Sequence, residues 1–228
     1  MSIHADTHPP MIPLLHDFTD ATVLVFGGGS VGARKARRFA REATVVVVSP
    51  DFADRDFGDA DLVRAAPDPD AVPTWLERHE PALVVAATDD EAVNQAVADA
   101  ARDRGVLCNR ADRAGARDPD SVVVPATVEE PPVTVAIATG GTAPALSKYL
   151  RQDLEDHLAG AGEMATLVGD LRAELKARGV PPERRRAIVT DVVNASGIWT
   201  ALRTGTANTR QVIEDVLEAE RVERGGSP

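Results

Sequence analysis

The stretch from Ala21 to Pro50, ATVLVFGGGSVGARKARRFAREATVVVVSP, constrains the fold more than any other part of the chain. It opens with a continuous apolar run that ends in glycines. A helix-period segment follows, with Ala36, Phe39, Ala40 and Ala43 on one face. It closes on TVVVVSP, a β-branched run without polar alternation. A strand that lacks alternation is buried on both faces, the situation inside a parallel sheet. Strand, helix and strand in this order predict a βαβ unit.

The rhythm continues to Asp112. ADLVRAA reads as a weak strand, DAVPTWLERH as a short helix and PALVVAATDD as a strong strand. EAVNQAVADAARDRG spaces Val93, Val97 and Ala100 for one helical face and closes on Gly105, and VLCNRAD is a fifth strand. Strands alternating with helices imply a doubly wound α/β sheet. After Asp112 the pattern changes. SVVVPATVEE and PPVTVAIATGG are two strands with a proline-rich turn and no helix between them, which favours an antiparallel pair. From Thr142 onward the chain reads as helical. Leu146, Leu150, Leu154 and Leu158 form one stripe, and Met164, Leu167, Leu171 and Leu175 another. PPERRRAIVTDVVNAS and TRQVIEDVLEAERVER add two more helices.

Composition narrows the function classes. A net charge of −11 argues against a nucleic-acid binder, which needs a basic face. No apolar run approaches the ~18 residues of a membrane span. The opening MSIHADTHPP has neither a basic nor an apolar signal region, so a cytoplasmic protein is expected. Cys108 is the only cysteine and the five histidines show no HxH or HExxH spacing, so no fixed metal site is expected. Lys35, Lys148 and Lys176 are the only lysines, and abundant Asp beside scarce Lys reads as a surface adapted to high salt. On such a surface an acidic residue needs a special context before it is assigned a role.

The glycine loop supplies one context. Gly27-x-Gly29-x-x-Gly32 follows a strand and opens a helix, where that spacing acquires meaning. Glycines let the backbone turn tightly and approach a pyrophosphate. Gly32 allows helix and strand to pack closely, and the helix N-terminus offers free N–H groups. Gly27, Gly28, Gly29, Ser30, Val31 and Gly32 are therefore the expected cofactor loop. The acid that usually ends the second strand to bind ribose is missing: Ser49 and Pro50 stand there and Asp51 comes two residues after Ser49. No arginine replaces it, so NAD is favoured over NADP, with Ser49, Pro50 and Asp51 as contacts. Thr88 and Asp89, at the carboxyl end of the fourth strand, are either cofactor contacts or, with Asp90, caps of the next helix.

MIPLLHDFTDATVLVFGGGSVGARKA, VVAATDDEAVN, CNRAD, VTVAIATGGTAPALSKYLR and ERRRAIVTDVV occur in one order. Together they resemble the precorrin-2 dehydrogenase family, the dehydrogenase/ferrochelatase portion of siroheme synthase, from Met11 to about Glu218. The resemblance implies NAD-dependent oxidation of precorrin-2 to sirohydrochlorin. In some members Fe²⁺ (or Co²⁺) is then inserted as a substrate. It implies an α/β fold with a Rossmann-type parallel sheet in an NAD-binding domain over 1–113, a small β-containing dimerisation domain over 114–150 and a helical domain over 151–228, paired as a homodimer. The fused methyltransferase of some relatives does not fit in 228 residues, so a separate enzyme is expected to supply precorrin-2.

The family's Asn-x-x-Asp motif matches Asn109 and Asp112. The resemblance makes Asp112 the general base or acid and implicates it in chelation too. Hydride loss must be accompanied by proton loss, and a carboxylate in a cleft can take the proton, especially where burial raises its pKa. The plain alternative is a turn residue at a strand end. The link that follows, RAGARDPD, departs from the family pattern, and Asp118 and Asp120 read as surface acids. Thr139, Gly140, Gly141, Thr142 and Lys148, around the second glycine pair, are expected to meet the substrate's eight carboxylates, with Asn109 beside them. Arg34, Lys35 and Arg151 are further cations, or else part of a solvated helix face. A non-catalytic NAD-sensing module is the competing class. Such modules usually end the second strand in an acid and lack ATGGTAPAL, so Ser49 and the region after Asp112 count against it.

Overall fold

The structure is a computed structural model that describes residues 12–112, 121–206 and 208–225. The opening MSIHADTHPP and the acids Asp118 and Asp120 lie outside the described residues. The chain forms two compact units. One runs through Val124 and includes Gly140–Thr142; the other holds Pro125–Thr139 and everything from Ala143.

In the first unit, β1 (Thr22–Phe26), β2 (Thr44–Ser49), β3 (Asp61–Arg64), β4 (Leu83–Ala86) and β5 (Leu107–Arg110) form one sheet in the order β3-β2-β1-β4-β5. Every pairing is parallel. The connections are α1 (Ser30–Phe39), α2 (Val72–His79) and α3 (Glu91–Arg104). One face of the sheet packs Leu24, Phe26, Val46, Val48, Val84 and Ala86 with α2 and α3. The other face packs Val23, Val25, Val45, Val47, Leu83 and Val85 with Ala33, Ala36 and Phe39 of α1. Both faces are covered, which is why these strands carry unbroken apolar runs; each such side chain contributes about 1.5–3 kcal/mol by leaving water. The strand order reverses between β1 and β4, so a crevice opens outside their carboxyl ends.

α3 begins where the sequence places its caps. Asp90 accepts from the amides of Ala92 and Val93 at 2.8 and 3.3 Å, and Gly105 closes the helix in the left-handed conformation. Thr88 has a different role from capping. Its amide and hydroxyl both donate to Asn94 Oδ1, at 3.1 and 2.8 Å, and its carbonyl accepts from Asn94 Nδ2 at 2.8 Å. Asn94 is 1% exposed, so this reciprocal set locks the turn after β4 onto α3.

The stretch after the 113–120 link splits differently from the sequence expectation. SVVVPATVEE is not one strand. Ser121 forms a parallel bridge with Cys108, and the Val122 amide donates to the Cys108 carbonyl at 2.8 Å, so residues 121–124 run along β5. Val122 and Val124 pack on the α1 face of the sheet, and that apolar burial wins over continuation of the hairpin. Only β6 (Ala126–Glu130) pairs antiparallel with β7 (Val133–Ile137).

The second unit continues with α4 (Pro144–Leu158), α5 (Ala161–Ala177), α6 (Pro182–Asn194), α7 (Ser196–Thr204) and α8 (Thr209–Gly225). The two leucine stripes are buried to different depths. Met164, Leu167, Leu171 and Leu175 of α5 are 0–3% exposed and centre a core with Val180, Ile188, Val192, Leu202 and Leu217. α4 has no buried residue, and Leu146 is 48% exposed. The sequence pattern did not separate α7 from its neighbours. The break before it comes at Ala195, which leaves helical geometry (ψ 101°).

Candidate active site

The cofactor candidates converge on the carboxyl edge of the parallel sheet because each follows a strand of that sheet. Gly27, Gly28 and Gly29 follow β1, Ser49, Pro50 and Asp51 end β2, and Thr88 and Asp89 follow β4. The loops are stitched to the sheet by backbone bonds: Gly27 N–H to the Val48 carbonyl at 3.0 Å and Ala87 N–H to the Phe26 carbonyl at 2.8 Å.

The glycines divide by what surrounds them. Gly27 has a φ of +114°, and a Cβ there would lie 2.2 Å from the Ala87 carbonyl oxygen. A Cβ on Gly28 would meet the Asp51 carbonyl oxygen at 2.3 Å, and one on Gly32 the Gly27 carbonyl oxygen at 1.9 Å. These three serve close packing. Around Gly29 no atom of the described residues lies within 4 Å of the Cβ position. Gly29 is also the N-cap of α1, without a side-chain cap and with no acid in the first turn. The first-turn N–H groups, those of Ser30, Val31 and Gly32 among them, therefore have no side-chain cap from Gly29 beside that open position. This fits a dinucleotide pyrophosphate. On α1, burial and then the neighbouring Arg34 and Arg38 lower the Lys35 ammonium to about 8, so it remains a cation at neutral pH.

At the ribose end Ser49 is buried at 6% exposure. Asp51 is not alone: Arg64, from the end of β3, donates to Asp51 Oδ1 at 2.9 Å and to the Pro50 carbonyl at 2.8 Å. The guanidinium also lies over the Phe52 ring, 5.6 Å from its centroid. The sequence showed no arginine at the end of β2. The sheet brings one from β3 instead.

Asp112 follows β5 on the same edge. Its side chain is 22% exposed, although the residue as a whole is exposed. Both carboxylate oxygens accept from Arg110, Nε to Oδ1 at 2.9 Å and Nη2 to Oδ2 at 2.5 Å. That fork holds the Asp112 carboxyl below its ordinary range and outweighs the opposing effect of burial. The sequence reading allowed for burial raising this pKa; the arginine two residues earlier reverses the sign. Asn109 donates from Nδ2 to the Val122 carbonyl at 2.8 Å, holding the segment 121–124 against β5. Asn109 Oδ1 is buried and has no partner among the described residues.

The remaining candidates open α4. Gly140 and Gly141 take positive φ values of 66° and 80°. Thr139, expected as a free donor, spends its hydroxyl inside this turn on the Ala143 carbonyl at 3.2 Å and Ser147 Oγ at 2.8 Å. Thr142 and Lys148 are exposed. Among the described residues no cluster of three His, Cys, Asp or Glu could hold a metal ion, and no helix is long and apolar enough to cross a membrane.

Residues 14–126 match the family model described as "Putative NAD(P)-binding", so the first unit is of the nicotinamide-dinucleotide-binding kind. The siroheme synthase of Escherichia coli O1:K1 / APEC is 33% identical over 220 residues, which is 91% of this chain and 46% of that protein. The chain is related to the siroheme synthases over the part of their length that it spans. The siroheme synthase of Salmonella arizonae is 34% identical over 183 residues, 77% of this chain and 38% of the relative. The chain thus spans about half the length of these relatives. A solved structure, "SirC, precorrin-2 dehydrogenase", superposes with a TM-score of 0.66 at 20% identity, covering 91% of this chain and all of the other. That likeness shows that the α/β fold with its helical C-terminal part is shared.

Sequence reasoning passed over Arg110, Arg64 and Asn94. Arg110 had a signal: it stands two residues before Asp112, and period-two alternation sets Arg110 and Cys108 on one side of β5. Arg64 and Asn94 had none, because their partners are 13 and 6 residues away across a turn or strand pairing.

Proposed function

We propose that this chain oxidises precorrin-2 to sirohydrochlorin with NAD⁺ as the hydride acceptor, a step in siroheme formation. The observation that carries the reading is the shared sheet edge, where an uncapped, unobstructed helix N-terminus at Gly29 and the Asp112 carboxylate both lie. Bound NAD⁺ supplies the redox chemistry by accepting a hydride. The chain's own task is to take the accompanying proton, and Asp112 is the base. The likeness to siroheme synthases over 91% of the chain supports the substrate.

NAD is proposed over NADP because the Asp51 carboxylate follows β2, where it suits ribose hydroxyls and repels a 2′-phosphate, with the exposed Arg64 beside it as the neighbouring cation. The proposed cofactor contacts are Gly27 to Gly32, Ser49, Pro50, Asp51, Thr88 and Asp89. The proposed substrate contacts are Asn109, Thr139, Gly140, Gly141, Thr142 and Lys148, whose donors suit a polycarboxylate. A homodimer is proposed, supported by the α4 leucine stripe that the chain itself leaves without a buried residue.

The test is to supply precorrin-2 and NAD⁺ in saline buffer and follow NADH together with the sirohydrochlorin spectrum. Absence of both sinks the dehydrogenase reading. The relatives' name favours a second reading, metal insertion, with Fe²⁺ or Co²⁺ as substrate. Adding either ion to the completed reaction tests it, and a sirohydrochlorin spectrum that changes no faster than without protein rejects it.

A further inference from the structure

The most unusual group in the first unit is a buried guanidinium. Arg110 is 8% exposed, and a charge is found that deep only when paired. It sits on β5 on the same side as Cys108, which packs with Val93 and Val97 of α3. Its Nε and Nη2 grip the two oxygens of Asp112, and its Nη1 donates to Gln95 Oε1 of α3 at 2.9 Å. Gln95 is held in turn: its Nε2 donates to Asp99 Oδ1 at 3.0 Å, which also accepts from Arg102 at 2.9 Å. α3 is itself fixed by its Asp90 cap. A continuous polar chain therefore runs from a helix flank to the carboxylate.

We propose that Arg110, braced by Gln95, is the positioning residue that holds the Asp112 carboxylate in one orientation for proton abstraction. This rests on the assignment of Asp112 as the base. A guanidinium is a planar fork, and with both carboxylate oxygens gripped the Asp112 side chain cannot rotate. An ionised carboxylate has about four lone-pair sites, and the fork uses two, so capacity for the incoming proton remains. The same contact stabilises the ionised form. Among the described residues the side chains that lower Asp112 are Arg110 on β5, foremost, and Asn94 on α3, and of these two Arg110 is the charged one. The base is thus kept deprotonated to lower pH than a lone carboxylate, at some cost in basicity.

The sign of the pH effect follows. A general base works ionised, so activity falls as pH drops through its pKa. Without Arg110 that pKa rises, and the acid limb of kcat/KM moves to higher pH. Arg110→Met keeps an unbranched side chain of similar length and removes the fork. The expected result is an acid limb displaced upward and a plateau kcat about tenfold lower, from loss of orientation, with KM for NAD⁺ unchanged. Arg110→Lys keeps the charge without the fork, and its limb should lie nearer that of the parent while its plateau stays reduced. Gln95→Leu retains the ion pair and removes its brace; it should lower the plateau without moving the limb far. A purely packing role for Arg110 would cut the active fraction and leave the limb where it was.

The second readout needs no turnover. In protein carrying ¹³C-carboxyl aspartate, the resonance missing from Asp112→Asn identifies Asp112, and in Arg110→Met it should titrate at higher pH than in the parent. An unchanged titration and an unchanged acid limb overturn the proposal. Full activity of Asp112→Asn instead refutes Asp112 as base, and the carboxyl titration then still reports whether Arg110 governs that carboxylate, so the two failures are distinguishable.

Discussion

Replacing Gly29 and Gly32 separately by alanine should split folding from cofactor binding within one six-residue loop. Gly32 has no room. Its added methyl would lie 1.9 Å from the Gly27 carbonyl oxygen, which is backbone and tethered by the Gly27 bond to Val48. Helix and strand must separate to relieve that contact, and overpacking of this kind costs about 1–3 kcal/mol. For a unit of this size that is a fall in Tm of roughly 4–12 °C. Gly29 is the opposite case. Its φ of −74° and ψ of −176° suit alanine, and no atom of the described residues lies within 4 Å of the new methyl. Loss of a tolerable N-cap costs a few tenths to about 1 kcal/mol, and the entropy lost by the unfolded chain returns about 0.4–1 kcal/mol. Gly29→Ala should therefore melt within about 2 °C of the parent. Yet its methyl would fill the space proposed for the pyrophosphate, so Kd for NAD⁺ should weaken about tenfold or more, a loss of roughly 1.4 kcal/mol. Thermal melts and calorimetric NAD⁺ titrations of both variants decide the matter. A Gly32→Ala protein that melts like the parent, or a Gly29→Ala protein that binds NAD⁺ with unchanged Kd, would refute the division.

Other outcomes follow from named contacts. Asp112→Asn removes a partly buried carboxylate gripped by a charged fork and should cost roughly 1.5–3 kcal/mol at neutral pH. Because Arg110 sets the folded pKa of Asp112 below its ordinary value of 3.8, that deficit should be complete above pH 3.8 and shrink as pH falls through the lower folded value, as urea melts of parent and variant at several pH values would show. Asn94→Ala strands the Thr88 amide and carbonyl beneath α3 and should destabilise by about 1–3 kcal/mol in urea titrations, while Asp89→Ala, exposed one residue further on, should change stability by less than about 0.5 kcal/mol. Leu171→Ala, at 0% exposure in the helical core, should cost about 2–5 kcal/mol, measurable as a lower urea midpoint.

The contrast between the two leucine stripes marks where periodicity stops being informative. Both repeat at helical spacing and both predict helices, correctly. Only the packed chain shows that Met164, Leu167, Leu171 and Leu175 meet partners from other helices, while in the α4 stripe Leu150, Leu154 and Leu158 are only half-buried and Leu146 is exposed. Spacing records which side of a helix is apolar and says nothing of what covers it. SVVVPATVEE shows the same limit in a strand: the run is β-forming throughout, but its first half is drawn to β5 and its second to β7, a choice made by neighbours distant in sequence.

The parallel sheet, the glycine loop and the position of Asp112 were legible from sequence alone because each depends on local order. Apolar runs without alternation demand burial on both faces, glycine spacing sets a turn, and a residue that follows a strand must sit on the sheet's edge. The electrostatic character of the site was not legible. Asp112 is held by Arg110, Arg110 is braced by Gln95 fifteen residues earlier, and Asp51 is met by Arg64 from another strand. Such contacts arise only when strand order and helix packing bring separate segments together. That is why the tertiary structure, and not the run of charges after β5, decided that the carboxylate at Asp112 is pushed toward its ionised form.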